Sequence, residues 1–246
     1  MKFSELITRW NTDEGRPYKG RLIDWDAYNG DNHDIGCMCA QGQLLHFVGG
    51  WLPERLLNTG QREADAETAK LLNISRAHAV LLRRVNDRAD GAPAIVLEKP
   101  GAVIGNQWSK LLDFWWHLDG MTADHWAAAG GAAYKAGWHD RWLFVGGAAR
   151  VAAGDDVAWA MAWSAGGDAA WSAAQDAARA SSTPAAGDAA RGASRDASGN
   201  AAYASNEIQG AAILREMSVP FFFLPALGFA NPNNIPARPA NYGAQP

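Results

Sequence analysis

Within HDIGCMCAQGQLLH, four side chains of metal-binding type fall close together: His33, Cys37, Cys39 and His46. Two imidazoles and two thiolates suit tetrahedral zinc, yet structural zinc sites space their paired cysteines more widely than the single Met38 found here. The same spacing is poor for a structural disulfide. The favoured reading is two small buried thiols on a short extended segment, with both histidines near the surface. No cofactor is expected, and zinc is the alternative. Asp124-His125 and His139-Asp140, with His117 and Asp119 nearby, are a second set of residues of acid–base type. Neighbours along a helix point apart, so such pairs make no dyad by themselves. Neither a nucleophile elbow nor a phosphate loop accompanies them, and a non-enzymatic protein is expected.

Recognition residues are the second possibility. In AKLLNISRAHAVLLRR, residues 69–84, Asn73 tolerates a left-handed turn and Ser75 can accept the orphan amides of a following helix. The segment resembles the helix-turn-helix of excisionase-like regulators, with Ala69 at the helix contact, Leu72 and Ile74 flanking the turn and Leu82 facing the core. That resemblance implies Arg76 and His78 toward base edges, with Arg83, Arg84 and Arg88 nearer phosphates. Ala79 is smaller than the pattern asks, and Leu81 needs another element to cover it. The competing reading is an ordinary corner inside an α-helical domain.

Aromatic side chains form the third set. Trp159, Trp163 and Trp171 sit in a run of Ala, Gly, Ser and Asp that reads in fours from Ala153 to Ala204 without a slip. The third place of each unit carries these tryptophans, then Arg179, Arg191, Arg195 and Tyr203; the fourth favours Asp. A period of four advances about 40° per unit on an α-helix, so the stripe winds round it. Gly166-Gly167 and Thr183-Pro184 offer breaks, and the pattern predicts several short helices rather than one rod. Asp176 to Arg179 and Asp188 to Arg191 are spaced for i, i+3 ion pairs. Core packing is the leading role of the tryptophans; the functional alternative is a partner surface of Trp159, Trp163 and Trp171 with Phe221 and Phe222.

The elements that must position these groups read as mainly α: a multi-helix globular domain with the Ala-rich tetrad region and an irregular Phe/Pro-rich C-terminal strap. Helical spacing predicts a helix over Trp108, Leu111, Leu112, Trp115 and Leu118, capped by Asn106 and ended by Gly120, then one capped by Thr122. AIVL at 94–97 reads as a strand or loop anchor, Asn206 to Met217 as a further helix, and NPNNIPARPANYGAQP as an irregular, mobile end. Composition suggests four regions: mixed 1–62, helical 63–120, Ala/Trp-rich 121–210, and 211–246.

With 22 basic against 26 acidic residues the chain is no polycationic nucleic-acid coat, so any DNA contact must be local. MKFSELITRW lacks the apolar core of a signal peptide, and no apolar run reaches membrane-spanning length, so a cytoplasmic location without membrane contact is expected. LLNISRAHAVLLRRVND, FWWHLDGMTADHW, the tetrads and NEIQGAAILRE followed by PFFFLPALGF together resemble alanine-rich proteins of phages and prophages. That resemblance implies an accessory protein in the host cytoplasm that binds a host regulatory or defence protein, or sequesters a small signal. The alternative is a DNA-binding regulator with the Ala-rich part as a homo-oligomerisation module.

Overall fold

The computed structural model describes residues 1–29, 35–88, 93–135, 156–216 and 224–244. Among them secondary structure is helical, with one isolated antiparallel bridge between Ile23 and Met38. The chain divides into two compact units, Met1–Pro100 with Ala240–Pro246, and Gly101–Pro239. Composition had suggested boundaries at 62, 120 and 210 instead.

In the first unit, α1 (Phe3–Asn11) buries Phe3, Leu6, Ile7 and Trp10, the stripe its spacing dictates. After α2 (Trp25–Asn29) comes α3 (Ala40–Gln43), whose start is capped by the Cys39 thiol accepting from Gly42 N at 3.5 Å. It widens into a π-helical turn over Leu44–Val48. Gln43 is fully buried and ties the neighbourhood together: its Oε1 accepts from Trp10 Nε1 at 2.7 Å, and its Nε2 donates to the carbonyls of Gly15, Ile35 and Met38.

Next come α4 (Pro53–Asn58), with Pro at its first position, α5 (Gln61–Leu71) and α6 (Arg76–Arg88). The corner between the last two has the predicted geometry. Asn73 takes φ 48°, and Ser75 Oγ accepts from His78 N at 3.2 Å. Ala69, Leu72, Ile74, Leu81 and Leu82 are all buried. AIVL forms a helical turn, α7 (Ile95–Glu98), rather than a strand: Pro93 starts the turn, with Val96 N donating to its carbonyl at 3.1 Å. The C-terminal residues belong to this unit and are anchored. Tyr242 stacks on His78 at 6.0 Å, its hydroxyl lies 2.9 Å from His78 Nδ1, and Asn73 Nδ2 donates to Asn241 O at 2.6 Å.

The second unit begins with α8 (Gly101–Ile104) and α9 (Trp108–Asp119), which buries Leu111, Leu112, Phe114, Trp115 and Leu118. Asn106 does not cap α9; the position before the helix is Gln107, which makes no side-chain cap, because Gly105 turns the chain with φ 81° and accepts from Trp108 N. Thr122 does cap α10 (Ala123–Lys135), accepting from His125 N at 3.3 Å.

The tetrad region forms two long helices, α11 (Asp156–Arg179, 24 residues) and α12 (Pro184–Glu216, 33 residues), not several short ones. The expected break at Thr183-Pro184 is present, with Thr183 Oγ1 accepting from Ala186 N. At Gly166-Gly167 the helix continues. These glycines serve close approach: a Cβ on Gly166 would lie 2.5 Å from Ser205 Oγ, and one on Gly167 3.3 Å from Ala202 Cβ. The segment from Asn206 likewise continues α12 instead of starting a helix of its own.

Contacts of Gly166 with Ser205, Gln175 with Ser194, and Gly187 with Ala178 run in opposite chain directions, so α11 and α12 are antiparallel. On α12 the buried residues Gly187, Ala190, Ser194, Ala197, Ala201, Ala204 and Ile208 alternate spacings of three and four, the seam of a close-packed pair. The third-place stripe does wind out of the core, with Trp171, Arg179, Arg191 and Arg195 exposed and Tyr203 buried; the small residues of α12 also pack along α10, where a Cβ on Gly130 would fall 2.4 Å from Ala193 Cβ. Small residues that rotate away from one neighbour meet the other. Both i, i+3 pairs form, Asp176 to Arg179 at 2.8 Å and Asp188 to Arg191 at 3.3 Å, on exposed surface where each adds little.

Trp115 Nε1 donates to Ser205 Oγ at 3.1 Å, and Ser205 Oγ donates to Ala201 O at 3.0 Å, directly against Gly166. Ser205→Ala strands a buried indole N–H and should cost about 1–3 kcal/mol in urea unfolding. Gly166→Ala should cost a similar amount by displacing the same hydroxyl. Because both variants break one interaction, the double variant should be far less destabilised than the sum; strict additivity would contradict this packing node.

Candidate functional site

The groups singled out as chemically competent are dispersed. On α6, His78 is 3% exposed and Arg83 8%, whereas Arg76 and Arg84 are half-buried and Arg88 is exposed. Two of the five candidate residues, His78 and Arg83, are thus turned inward. His78 Nε2 donates to Val96 O at 2.8 Å and Arg83 is held by Asp65, so both are interior connections. Nine of the 13 residues of α6 are buried, including the Leu81 that an exposed recognition helix would leave bare.

Cys37 and Cys39 are buried as expected. Burial pushes the Cys39 thiol up to about 11, against the lowering effect of its backbone donors, so it stays protonated at neutral pH. His46 is half-buried and its Nδ1 donates to Trp51 O at 2.6 Å. Among the described residues no three His, Cys, Asp or Glu side chains converge as a metal site, and His33 lies outside them. His139-Asp140, Phe221, Phe222 and the side chain of Trp159 also lie outside the described residues. Trp163 is half-buried and meets Tyr203, another third-place residue, edge-on at 4.4 Å, while Trp171 is 39% exposed.

In the second unit a cavity of about 260 Å³ is bordered by His117, His125 and the Pro225–Gly228 turn. His117 Nε2 donates to Leu227 O at 3.0 Å, and burial lowers its pKa, opposed by that hydrogen bond. This ring is an anchor for the turn.

The larger cavity, about 560 Å³, lies in the first unit. Leu22, Ile23, Leu56 and Leu57 supply its apolar wall; Arg21, Gln41, Gln61 and Arg83 supply the polar one, with Cys39 and the Thr59-Gly60 link completing it. Three helices fix its polar wall through one carboxylate. Asp65 on α5 is 3% exposed and accepts two bonds from Arg83 on α6, Nε to Oδ1 and a terminal nitrogen to Oδ2, both 3.0 Å. It also accepts from Gln41 Nε2 on α3 at 2.9 Å. A forked, fully desolvated pair of this kind is directional and tolerates no loose partner.

Gln41 is 0% exposed. Its Nε2 donates to Asp65 and, at 3.2 Å, to Ala79 O. Both partners are acceptors, so the amide cannot be flipped, and its oxygen is fixed on the other side. That oxygen, Oε1, is buried out of reach of the cavity and meets no donor among the described residues. A buried acceptor left without a donor costs about 1–3 kcal/mol.

Comparison of the chain with protein-family models, curated proteins and solved structures finds no match. The site therefore stands on its own geometry. Its arrangement can recognise and orient a molecule; no nucleophile is paired with a base, since Cys39 stays a thiol. Gln41 and Asp65 were not singled out from the sequence. The available signals were an amide pair inside an apolar run, CAQGQLL, and an acid flanked by alanines in ADAETAK.

Asp65→Asn should destabilise the chain by about 3–5 kcal/mol in urea unfolding, because it leaves the Arg83 charge buried without its counter-ion. The double variant Asp65→Leu, Arg83→Met should be much closer to wild type. Equal stability of Asp65→Asn and wild type would contradict a buried, energetically coupled pair.

Proposed function

We propose that the chain is a non-enzymatic binding protein that holds a small molecule in the cavity of its first unit. The observation that carries this reading is the cavity wall itself, in which Leu22, Ile23, Leu56 and Leu57 stand beside a few polar side chains and Arg83 is held rigid by Asp65. A volume of about 560 Å³ suits a small organic ligand, and a mostly apolar wall with few, fixed polar groups is the usual construction of such sites. Sequestration of a small signal, one role implied by the resemblance to phage accessory proteins, requires a site of this kind and no catalytic group. The alternative of a DNA-binding regulator is weakened by the inward placement of His78 and Arg83.

Thermal unfolding in the presence of a metabolite library tests the reading. A ligand at a hundred times its Kd stabilises by about 2.7 kcal/mol, a readily measured rise in Tm. Leu57 sits at the cavity edge and is 48% exposed, so Leu57→Trp obstructs the cavity without repacking the core. At least one compound should raise the Tm of wild type and not that of Leu57→Trp. No stabilising compound, or equal shifts in both proteins, would overturn the proposal.

A further inference from the structure

Away from the cavity, the corner between α5 and α6 is a second recognition arrangement, filled by another part of the chain. Ala244 N donates to Asn241 O at 2.9 Å, closing a β-turn with Tyr242 and Gly243 at its centre. Gly243 takes φ 74°, as the third residue of a type II turn requires. Asn73 grips this turn on both sides of Tyr242: its Nδ2 donates to Asn241 O at 2.6 Å, and its carbonyl accepts from Gly243 N at 2.8 Å. Asn73 thus combines the left-handed φ of 48° with a side chain that holds the turn.

Between the two grips the Tyr242 side chain enters a slot that fits a phenol. Its ring lies parallel to His78, with 6° between the planes. Because His78 Nε2 donates to the Val96 carbonyl, Nδ1 of the neutral ring is an acceptor, and the Tyr242 hydroxyl donates to it at 2.9 Å. The same hydroxyl accepts from Ser75 N at 3.3 Å and from Ser75 Oγ at 3.4 Å, while Ser75 Oγ accepts from His78 N. One donated and two accepted bonds use the whole capacity of a hydroxyl, and a phenylalanine in the slot would make none of them.

The turn supplies recognition and no core. None of residues 233–244 is buried; Tyr242 and Gly243 are half-buried, and Asn241 and Ala244 are exposed. Leaving the slot therefore unpacks neither helix, and a segment held by so little apolar contact opens at the low-stability end of a structure.

We infer that the start of α6 is a receptor for a tyrosine-bearing β-turn, closed by the chain's own residues 241–244 and taken by the same turn of a second copy as the protein accumulates. A second copy offers the same atoms in the same order, so exchange rebuilds every bond and needs no new surface. Closure within one chain competes at an effective concentration of about a millimolar. The turn therefore stays in its own slot in dilute protein, and exchange answers a high local density of copies.

Full-length Tyr242→Ala empties the slot, and the capped peptide PANYGA, residues 239–244, is the probe. Isothermal titration should show one-to-one binding to Tyr242→Ala and at least tenfold weaker binding to wild type, whose own turn competes. Gly243→Val denies the turn its φ of 74°, empties the slot by a second route and should bind the peptide as Tyr242→Ala does. The peptide with Phe in place of Tyr242 should bind at least tenfold more weakly than PANYGA. Adding Asn73→Gly to Tyr242→Ala keeps the left-handed corner, removes the Nδ2 grip and should weaken PANYGA severalfold. For exchange between copies, Tyr242→Ala supplies an open slot and Asn73→Gly a loosened turn. Sedimentation velocity of their equimolar mixture, above the Kd of PANYGA, should show a species of twice the mass of either variant alone. Absence of PANYGA binding to both emptied variants at millimolar concentration, or equal binding of the Phe peptide, would overturn the receptor. Peptide binding without the doubled mass in the mixture would overturn the second copy as its occupant.

Discussion

Everything in the first unit is arranged around a carboxylate that must not be left alone. Asp65 is out of water, and a desolvated charge is tolerated only when it is matched in sign and saturated with hydrogen bonds. Arg83 supplies the charge and two of the bonds; Gln41 supplies a third. Because these residues come from α3, α5 and α6, satisfying Asp65 fixes three helices relative to one another. The Gln41 amide is oriented by that requirement, and its buried oxygen meets no donor among the described residues. The site's chemistry is thus an outcome of an electrostatic constraint on the fold.

A different constraint governs the second unit. Its core is built by removing side-chain volume, so that backbones approach where Gly166 meets Ser205 and Gly130 meets Ala193. Close approach increases dispersion contact but leaves little apolar area per residue, and the deficit is offset by a few large groups such as Trp115 and Trp126, both fully buried. Some polar groups in so tight a seam are satisfied locally, as Ser205 is by Trp115 and Ala201, and Asn200 by Ala129 O at 3.1 Å, while both amide atoms of the buried Asn206 meet no partner among the described residues. No helix among the described residues is long and apolar enough to cross a membrane.

Legibility of the sequence followed the range of the interactions. The helix-turn-helix corner was readable because Asn73 and Ser75 act on their own backbone within a few residues. The mainly α character, the Thr122 cap and the i, i+3 ion pairs were readable for the same reason. Gly166-Gly167 was misread as a break because glycine has two uses, ending a helix and admitting a neighbour, and only the partner helix decides between them. The anchored C-terminus and Gln41 were not legible at all: Tyr242 meets His78 and Gln41 meets Asp65 across separations that no local pattern encodes. His78 and Arg83 had the right types for recognition, but their burial depends on the elements that cover α6.

The central claim is that the first unit's cavity, walled through the Asp65–Arg83 pair, holds a small molecule. A crystal structure of the chain with a compound that raises its Tm tests this most directly. The account predicts the compound in that cavity, against Leu22, Ile23, Leu56 and Arg83. A stabilising compound bound elsewhere would contradict it.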